Sequence, residues 1–487
     1  MIQTQIDTPK HRAWALLDRN VEALSQLSDA IFYFGEVGMQ EHRSAALLSD
    51  LLEEQGFAVQ RGISGFPTAF CATFGQGEPV IAIHTEYDAA ASNSQRGGVV
   101  VKEEIVPGAP GHCEGHNVNA AVMVAAALAV KQAMVECALA GTLKIIGAPA
   151  EEQLLSRPYF VRDGLFDDVT LAIHNHIYDR LSTEYGVLQS ALVSAVFNFQ
   201  GEAAHAALSP WKGRGALDAV VLMDMGMAQY REHFQPGMSA QRTITHGGDQ
   251  PNVISAKASV WWYFRHGSAD GARTLFEQAQ RIARGAALMA NCEVEVDVQA
   301  AVWPVRCNQK LAELIQANVE AVGMPEWSAA EQDFARAIQA EAGGKSVGLE
   351  TAARPLLGPG VQLMASNDSG DISWVAPMGR VYFPSNIPGV TYHHWTAGAA
   401  LTTSIAHKGA LAGAKVLAGS VIDALIDAEA VAEIRRTFKA EIGDQAYRPL
   451  LPPEQTPPQE LNRAVMEAHR AAMEPHYAKA RPTFQMA

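Results

Sequence analysis

Three short apolar runs each end in a burst of histidine and carboxylate: "PVIAIHTEYD" (79–88), "LKIIGAPAEE" (143–152) and "VTLAIHNH" (169–176). Their apolar residues are consecutive rather than alternating, so strands built from them need cover on both faces. The Ala-rich "NAAVMVAAALAVKQAM" (119–134) lies between the first two and reads as a buried helix. Strands and helices in this order predict an α/β fold, a mostly parallel sheet flanked by helices. An open sheet of that kind collects its chemistry at the carboxyl ends of its strands, which gathers His84, Glu86, Asp88, Glu151, Glu152, His174 and His176 at one edge. "GHCEGHN" (111–117), just before the Ala-rich helix, adds His112, Cys113, Glu114 and His116.

Around this core the chain divides into a catalytic stretch (1–191), an insertion (192–304), a return to the catalytic fold (305–445) and a C-terminal extension (446–487). The start is helical: "WALLDRNVEALSQLSDAIFYFG" and "EHRSAALLSDLLEEQGF" space apolar residues three and four apart, the second closing at Gly56. In the insertion, "LVSAVFNFQG", "AKASVWWYFRHG" and "CEVEVDVQA" alternate like half-exposed strands with two helical stretches between them, predicting a βαββαβ-type α+β sandwich that acts as a lid. The Pro-rich "RPLLPPEQTPPQ" reads as a linker along the surface, followed by a short helix.

Hydrophobic residues make up 48% and charged residues 18% of the 487, which leaves no case for a disordered chain. A net charge of -15 repels phosphate backbones and anionic lipid, so nucleic acid and membrane surfaces are excluded as partners in favour of a small molecule. The N-terminus carries no apolar segment after a basic start, and five scattered cysteines suit a reducing compartment. Both predict a cytoplasmic protein.

Four clusters of carboxylate and imidazole at one sheet edge point to a metal site. If residues 112–116 run extended, His112, Glu114 and His116 face one way and Cys113 the other, which makes Glu114 and His116 the ligand pair and Cys113 an apolar filler. Adjacent side chains cannot both address one ion, so one of Glu151 and Glu152 binds metal while its neighbour is free to accept a proton from an activated water. His84, His112, His174 and His394 read as packing or ligand-orienting groups, and His407 as structural. Asp368, Asp371, Glu86 and Asp88 read as outlying anions that orient the ligands.

On "GFPTAFCATFGQGEPVIAIHTEYDA", "GHCEGHN", "GAPAEE", "VRDGLFDDVTLAIHNH", "GEAAHAALSPWKGRGALDAV", "PNVISAKA", "SNDSGDISW" and "HHWTAGAALTTSIAHKGA", the chain to residue 455 resembles the p-aminobenzoyl-glutamate hydrolases. More broadly it resembles the co-catalytic metallopeptidase and amidohydrolase family that includes aminoacylases and auxin-conjugate hydrolases. The resemblance implies metal ligation by Glu114, His116, Glu152, His176 and His393, with Glu151 as general base. It also implies that His205, on the lid, reaches into a partner protomer's active site to steady the oxyanion, and that Asn252 and Arg265 bind substrate. Where relatives carry cysteine this chain has Glu114, with Cys113 one residue earlier. A hard oxygen in place of a soft thiolate moves preference from zinc toward manganese and leaves open whether one or two ions, Mn2+ or Zn2+, are held.

These features predict a metal-dependent hydrolase of a C–N bond, an amidohydrolase cleaving an aromatic-acyl amino acid such as an aminobenzoyl-glutamate-like amide. The alternatives are a hydrolytic deaminase of an aromatic amine using the same metal and base, and a binding protein without catalysis. Trp261, Trp262 and Tyr263 offer an apolar wall from the lid, whose alternating strands predict a homodimer or larger homo-oligomer.

Overall fold

A computed structural model describes residues 8–359 and 364–486. Its centre is a six-stranded sheet in the order Ala58–Arg61, Phe70–Gln76, Gly141–Gly147, Val80–Thr85, Leu171–Tyr178 and Met378–Pro384. The last four run parallel. The first two join antiparallel at one edge, so the sheet is mixed there and parallel where the polar clusters lie.

The helix His116–Glu136 is buried on nearly every side, and it packs against the sheet and against the equally apolar helix Ser404–Ile426. Both helices are long and apolar enough to cross a membrane, and both lie inside the core. Small residues allow the close approach: a Cβ on Gly409 would stand 2.1 Å from the Pro384 carbonyl oxygen. The helices Pro9–Arg19 and Val21–Phe34 complete this layer.

The insertion is a four-stranded antiparallel sheet in the order Glu293–Val302, Ala191–Gln200, Lys257–His266 and Ser239–His246. Helices Ala216–Tyr230 and Ala269–Met289 cover one face, where Phe197, Trp262 and Phe264 meet Leu275, Ala279 and Ala283. The polar "SAQRTITH" supplies the fourth strand of the βαββαβ pattern and lies exposed at the sheet edge. The chain re-enters the main sheet past Trp303, whose ring stands against Trp374 and Tyr447. Beyond the Pro-rich stretch, helix Arg463–Met473 returns to the N-terminal region, where Arg470 pairs with Glu36 and Arg43 with Glu474.

Candidate metal centre

Parallel pairing sets His84 opposite Ile146 on one side and His174 on the other, so the residues after these positions emerge level at one edge. After the strand Gly141–Gly147 the chain turns tightly, with Ala150 at φ 58° and Leu154 at φ 59°, left-handed conformations that cost energy for residues bearing a Cβ. Two buried carboxylates hold this turn. Glu41 Oε1 accepts the Ala150 amide at 2.8 Å, and Asp88 Oδ2 accepts that of Glu152 at 2.9 Å. Gly38 lies so close that a Cβ there would stand 1.9 Å from Gln153 Oε1 and 2.9 Å from Ala150 Cα. The two glutamates then diverge: Glu151 Oε1 takes a hydrogen bond from Asn367 Nδ2 at 2.6 Å, while Glu152 Oε2 stands 3.7 Å from His393 Nε2.

"GHCEGHN" is not extended. Residues 113 and 114 bend, Gly115 is left-handed at φ 75° with no room for a Cβ against Ile177, and His116 opens the long helix. The expected alternation of faces is therefore lost. His112 turns away from Glu114 and His116, donating from Nε2 to the Ile31 carbonyl at 3.1 Å and stacking on Phe32. Cys113, expected on the opposite side, faces the centre: its Sγ, a Glu152 oxygen and a His393 nitrogen lie within 4.8 Å of one another.

Each of three histidines turns one ring nitrogen toward the centre. His116 Nδ1 donates toward the carbonyl and carboxylate of Asp88 at 3.1 and 3.2 Å, which turns Nε2 toward the centre. That Nε2 is buried without a hydrogen-bond partner among the described residues, 3.7 Å from Glu151 Oε2 and 3.9 Å from Glu114 Oε2. His176 Nδ1 donates to the Ile177 carbonyl at 2.8 Å, and its Nε2 lies 3.6 Å from Glu86 Oε1. His393, left-handed at φ 59°, sets Nε2 2.8 Å from Glu114 Oε1. The structure thus brings Glu114, His116, Glu152, His176 and His393 around one space and adds Glu86 and Cys113 to them.

Charge makes the same demand. Burial, opposed by His116 and reinforced by Glu86, holds the Glu151 carboxyl well above its ordinary range. Burial and then Glu114 push Glu152 up to about 8. Carboxylates crowded in this way repel one another until a cation enters, and the imidazoles of His116 and His176, whose Nδ1 atoms are already committed, join His393 in a donor set suited to a divalent ion. Behind them the fully buried Arg157 pairs with both Glu86 and Asp368, and its Nε stands 3.2 Å from His84 Nδ1. His174, stacked on His84 at 5.0 Å, and Asn119 also hold Glu86, at 3.0 Å each.

Other predicted residues lie elsewhere. Asp371, read as an anion orienting the ligands, instead accepts the Trp303 amide at 3.0 Å and the Tyr447 hydroxyl at 2.7 Å where the chain leaves the insertion. Trp262, read as part of an apolar wall, is buried in the insertion's own core and stacks on Phe264. Its neighbours in the strand take the opposite face: Trp261 Nε1 donates to Ser194 Oγ, and the Arg265 guanidinium lies 5.0 Å from the Tyr263 ring. His205 and Asn252 are exposed, with His205 on a two-stranded ribbon paired to Val253 and its Nδ1 accepting the amides of Ala207 and Leu208 at 3.2 Å. His394 bonds Thr396 Oγ1 and His407 bonds Asp29. Glu41, Asn119 and Arg157 are positioning groups that nothing in the sequence pointed to, and Asn367, within "SNDSGDISW", is one to which sequence reasoning assigned no role.

Comparison with known proteins fits this geometry. Residues 188–301 match the family model described as a peptidase dimerisation domain. The chain is 33% identical to a p-aminobenzoyl-glutamate hydrolase polypeptide of Escherichia coli over 474 residues, 91% of this chain and 98% of that protein. It is 26% identical to Xaa-Arg dipeptidase of Mus musculus, over 91% of this chain and 94% of that one. Among solved structures, a dinuclear metal-binding peptidase of the M20 family from Bacillus subtilis superposes with a TM-score of 0.54 at 17% identity, covering 86% of this chain and 99% of that chain.

Proposed function

The chain belongs to the p-aminobenzoyl-glutamate hydrolase group of the M20 metal-dependent amidohydrolases, and on that premise we propose that it cleaves the amide bond of an N-acyl amino acid whose acyl half is aromatic. One observation carries the reading. A buried imidazole nitrogen with no hydrogen-bond partner among the described residues, His116 Nε2, stands 3.7 Å from a carboxylate oxygen of Glu151 whose other oxygen is tethered by Asn367.

Glu114, His116, Glu152, His176 and His393 would hold the cation, Mn2+ or Zn2+, which when bound polarises the scissile carbonyl and acidifies water. Glu151 Oε2 takes the proton of the attacking water as oxygen adds to the carbonyl carbon. It returns that proton to the amide nitrogen as the C–N bond breaks, leaving a carboxylic acid and a free amine. Because His205 Nδ1 accepts two backbone amides, its proton sits on Nε2, where it donates to the developing oxyanion, a contribution of about 3 kcal/mol for one well-placed donor.

Exposure of His205 and Asn252 supports their service to a second protomer's site rather than their own. The exposed edge strand Ser239–His246, beside the exposed Val221 and Met225 of the neighbouring helix, offers the dimer contact. Arg265 and Asn252 would take the amino acid's carboxylate. Five unpaired cysteines support a cytoplasmic setting.

The test is to assay metal-loaded protein against aromatic amides of amino acids and against aromatic amines, identifying products by mass. An aromatic acid and an amino acid in equal amounts are expected. Ammonia without a carboxylic acid would overturn the amide reading in favour of a deaminase.

A further inference from the structure

The C-terminal extension is woven into the catalytic body rather than laid over it. Its Leu451 is buried in the apolar cluster that also holds Met39, Ala150 and Leu155 of the catalytic part and Phe197 of the insertion. Gln455 fastens it on both sides: its Nε2 donates to the Val298 carbonyl of the insertion at 3.0 Å, and its carbonyl accepts Arg162 Nη1 of the catalytic part at 2.7 Å. The extension then turns a corner at Leu461 and Asn462, against residues 38–41. Gln40 Nε2 donates to the Leu461 carbonyl at 2.9 Å. Asn462 Nδ2 donates to the Gly38 carbonyl at 3.0 Å and reaches Gln153 Oε1, at the end of the turn that carries Glu151, at 3.5 Å.

We infer that Asn462 is a positioning residue for Glu151, the corner of the C-terminal extension tying Gly38 to Gln153 and so fixing the catalytic turn 150–154. This rests on the reading of Glu151 as the group that moves the proton, and deepens it. Backbone strain supports the assignment. Met39, Ala150, Leu154 and Asn462 have φ of 70°, 58°, 59° and 61°, and four non-glycine residues in the left-handed region persist at one joint only where their surroundings over-determine them. Glu41 clamps the joint through the Ala150 amide, and Asn462 clamps it through Gly38 and Gln153. The two layers touch closely, since a Cβ on Gly38 would stand 2.9 Å from Ala150 Cα. Any shift of residues 38–41 therefore passes to the backbone before Glu151. Asparagine suits position 462 twice over: it visits the left-handed region readily, and its amide nitrogen carries two donors.

Hydrogen exchange followed by mass spectrometry, with steady-state kinetics on the same metal-loaded protein, separates positioning from mere support. Asn462→Ala is expected to speed exchange in peptides covering residues 148–155 and to lower kcat by about 10- to 100-fold with little change in KM. Asn462→Gly keeps the left-handed φ without strain but has no amide to donate, so it is expected to fold as wild type and to show the same two effects. Arg463→Ala, one residue along and paired with the exposed Glu460, is expected to alter neither. Asn462→Gly with undiminished kcat, or with wild-type exchange over 148–155, would overturn the role of Asn462. Glu151→Gln retaining wild-type turnover would instead overturn the proton-transfer reading, whatever the Asn462 variants do.

Discussion

Glu41 is the most informative residue to change, because it touches neither the metal ligands nor any expected substrate position yet holds the turn that presents Glu151. It is completely buried, with Oε1 on the Ala150 amide at 2.8 Å and Oε2 on the Thr68 hydroxyl at 2.9 Å. Glu41→Ala strands that buried amide, a loss of about 1–3 kcal/mol, and removes a second hydrogen bond worth about 1 kcal/mol. The expected destabilisation is about 2–4 kcal/mol by urea unfolding. Ala150 also needs support to keep its left-handed φ of 58°, so the freed turn relaxes and Glu151 leaves its alignment. A misplacement of about 1 Å lowers kcat on the order of 100-fold with little change in KM. Glu41→Gln tests the logic. Burial and then the nearby Asp88 charge hold the Glu41 carboxyl well above its ordinary range, so a neutral amide that still accepts from Ala150 is a close substitute. It is expected to remain within about 1 kcal/mol of wild type and to keep its kcat. Folded Glu41→Ala with undiminished kcat would refute the reasoning, as would equal damage from both substitutions.

Arg157→Met leaves Glu86 and Asp368 buried without their cation, and calorimetry is expected to show a loss of about 3–5 kcal/mol. Mixing inactive His205→Ala and Glu151→Gln proteins and allowing protomers to exchange is expected to restore about a quarter of wild-type activity, since half the dimers then carry one complete site made from both chains; no recovery would count against action across the interface. Burial opposes ionisation of Glu331, but Lys408, Ser404 and Ser328 hold its carboxyl down to about 2. Its folded value lies below its unfolded one, so the stabilisation is complete above the ordinary carboxylate range and is lost as pH falls toward 2. Glu331→Gln is therefore expected to lose on the order of 2 kcal/mol at neutral pH, a gap that narrows steadily below pH 4.5.

The strand ends were legible because uninterrupted apolar runs leave few places for the polar residues that follow, and parallel pairing puts those places level. The divergence of Glu151 and Glu152 was legible from adjacency alone. What failed was the parity of "GHCEGHN", which presumed an extended chain; one left-handed glycine, Gly115, redirected His112 away and Cys113 inward. Arg157 gave no signal, since its carboxylate partners stand 71 and 211 positions away and an arginine in "SRPYFVR" looks like any surface residue. Asp371 has the composition of a site residue but serves the passage out of the insertion, a role set by where Trp303 and Tyr447 happen to arrive.

The most direct test is a crystal of the active protein grown with manganese or zinc and measured at the metal's absorption edge. Anomalous density is predicted in the space bounded by His116 Nε2, His176 Nε2, Glu114, Glu152 and His393. A crystal that hydrolyses its substrate while showing no anomalous peak among those side chains would contradict the account.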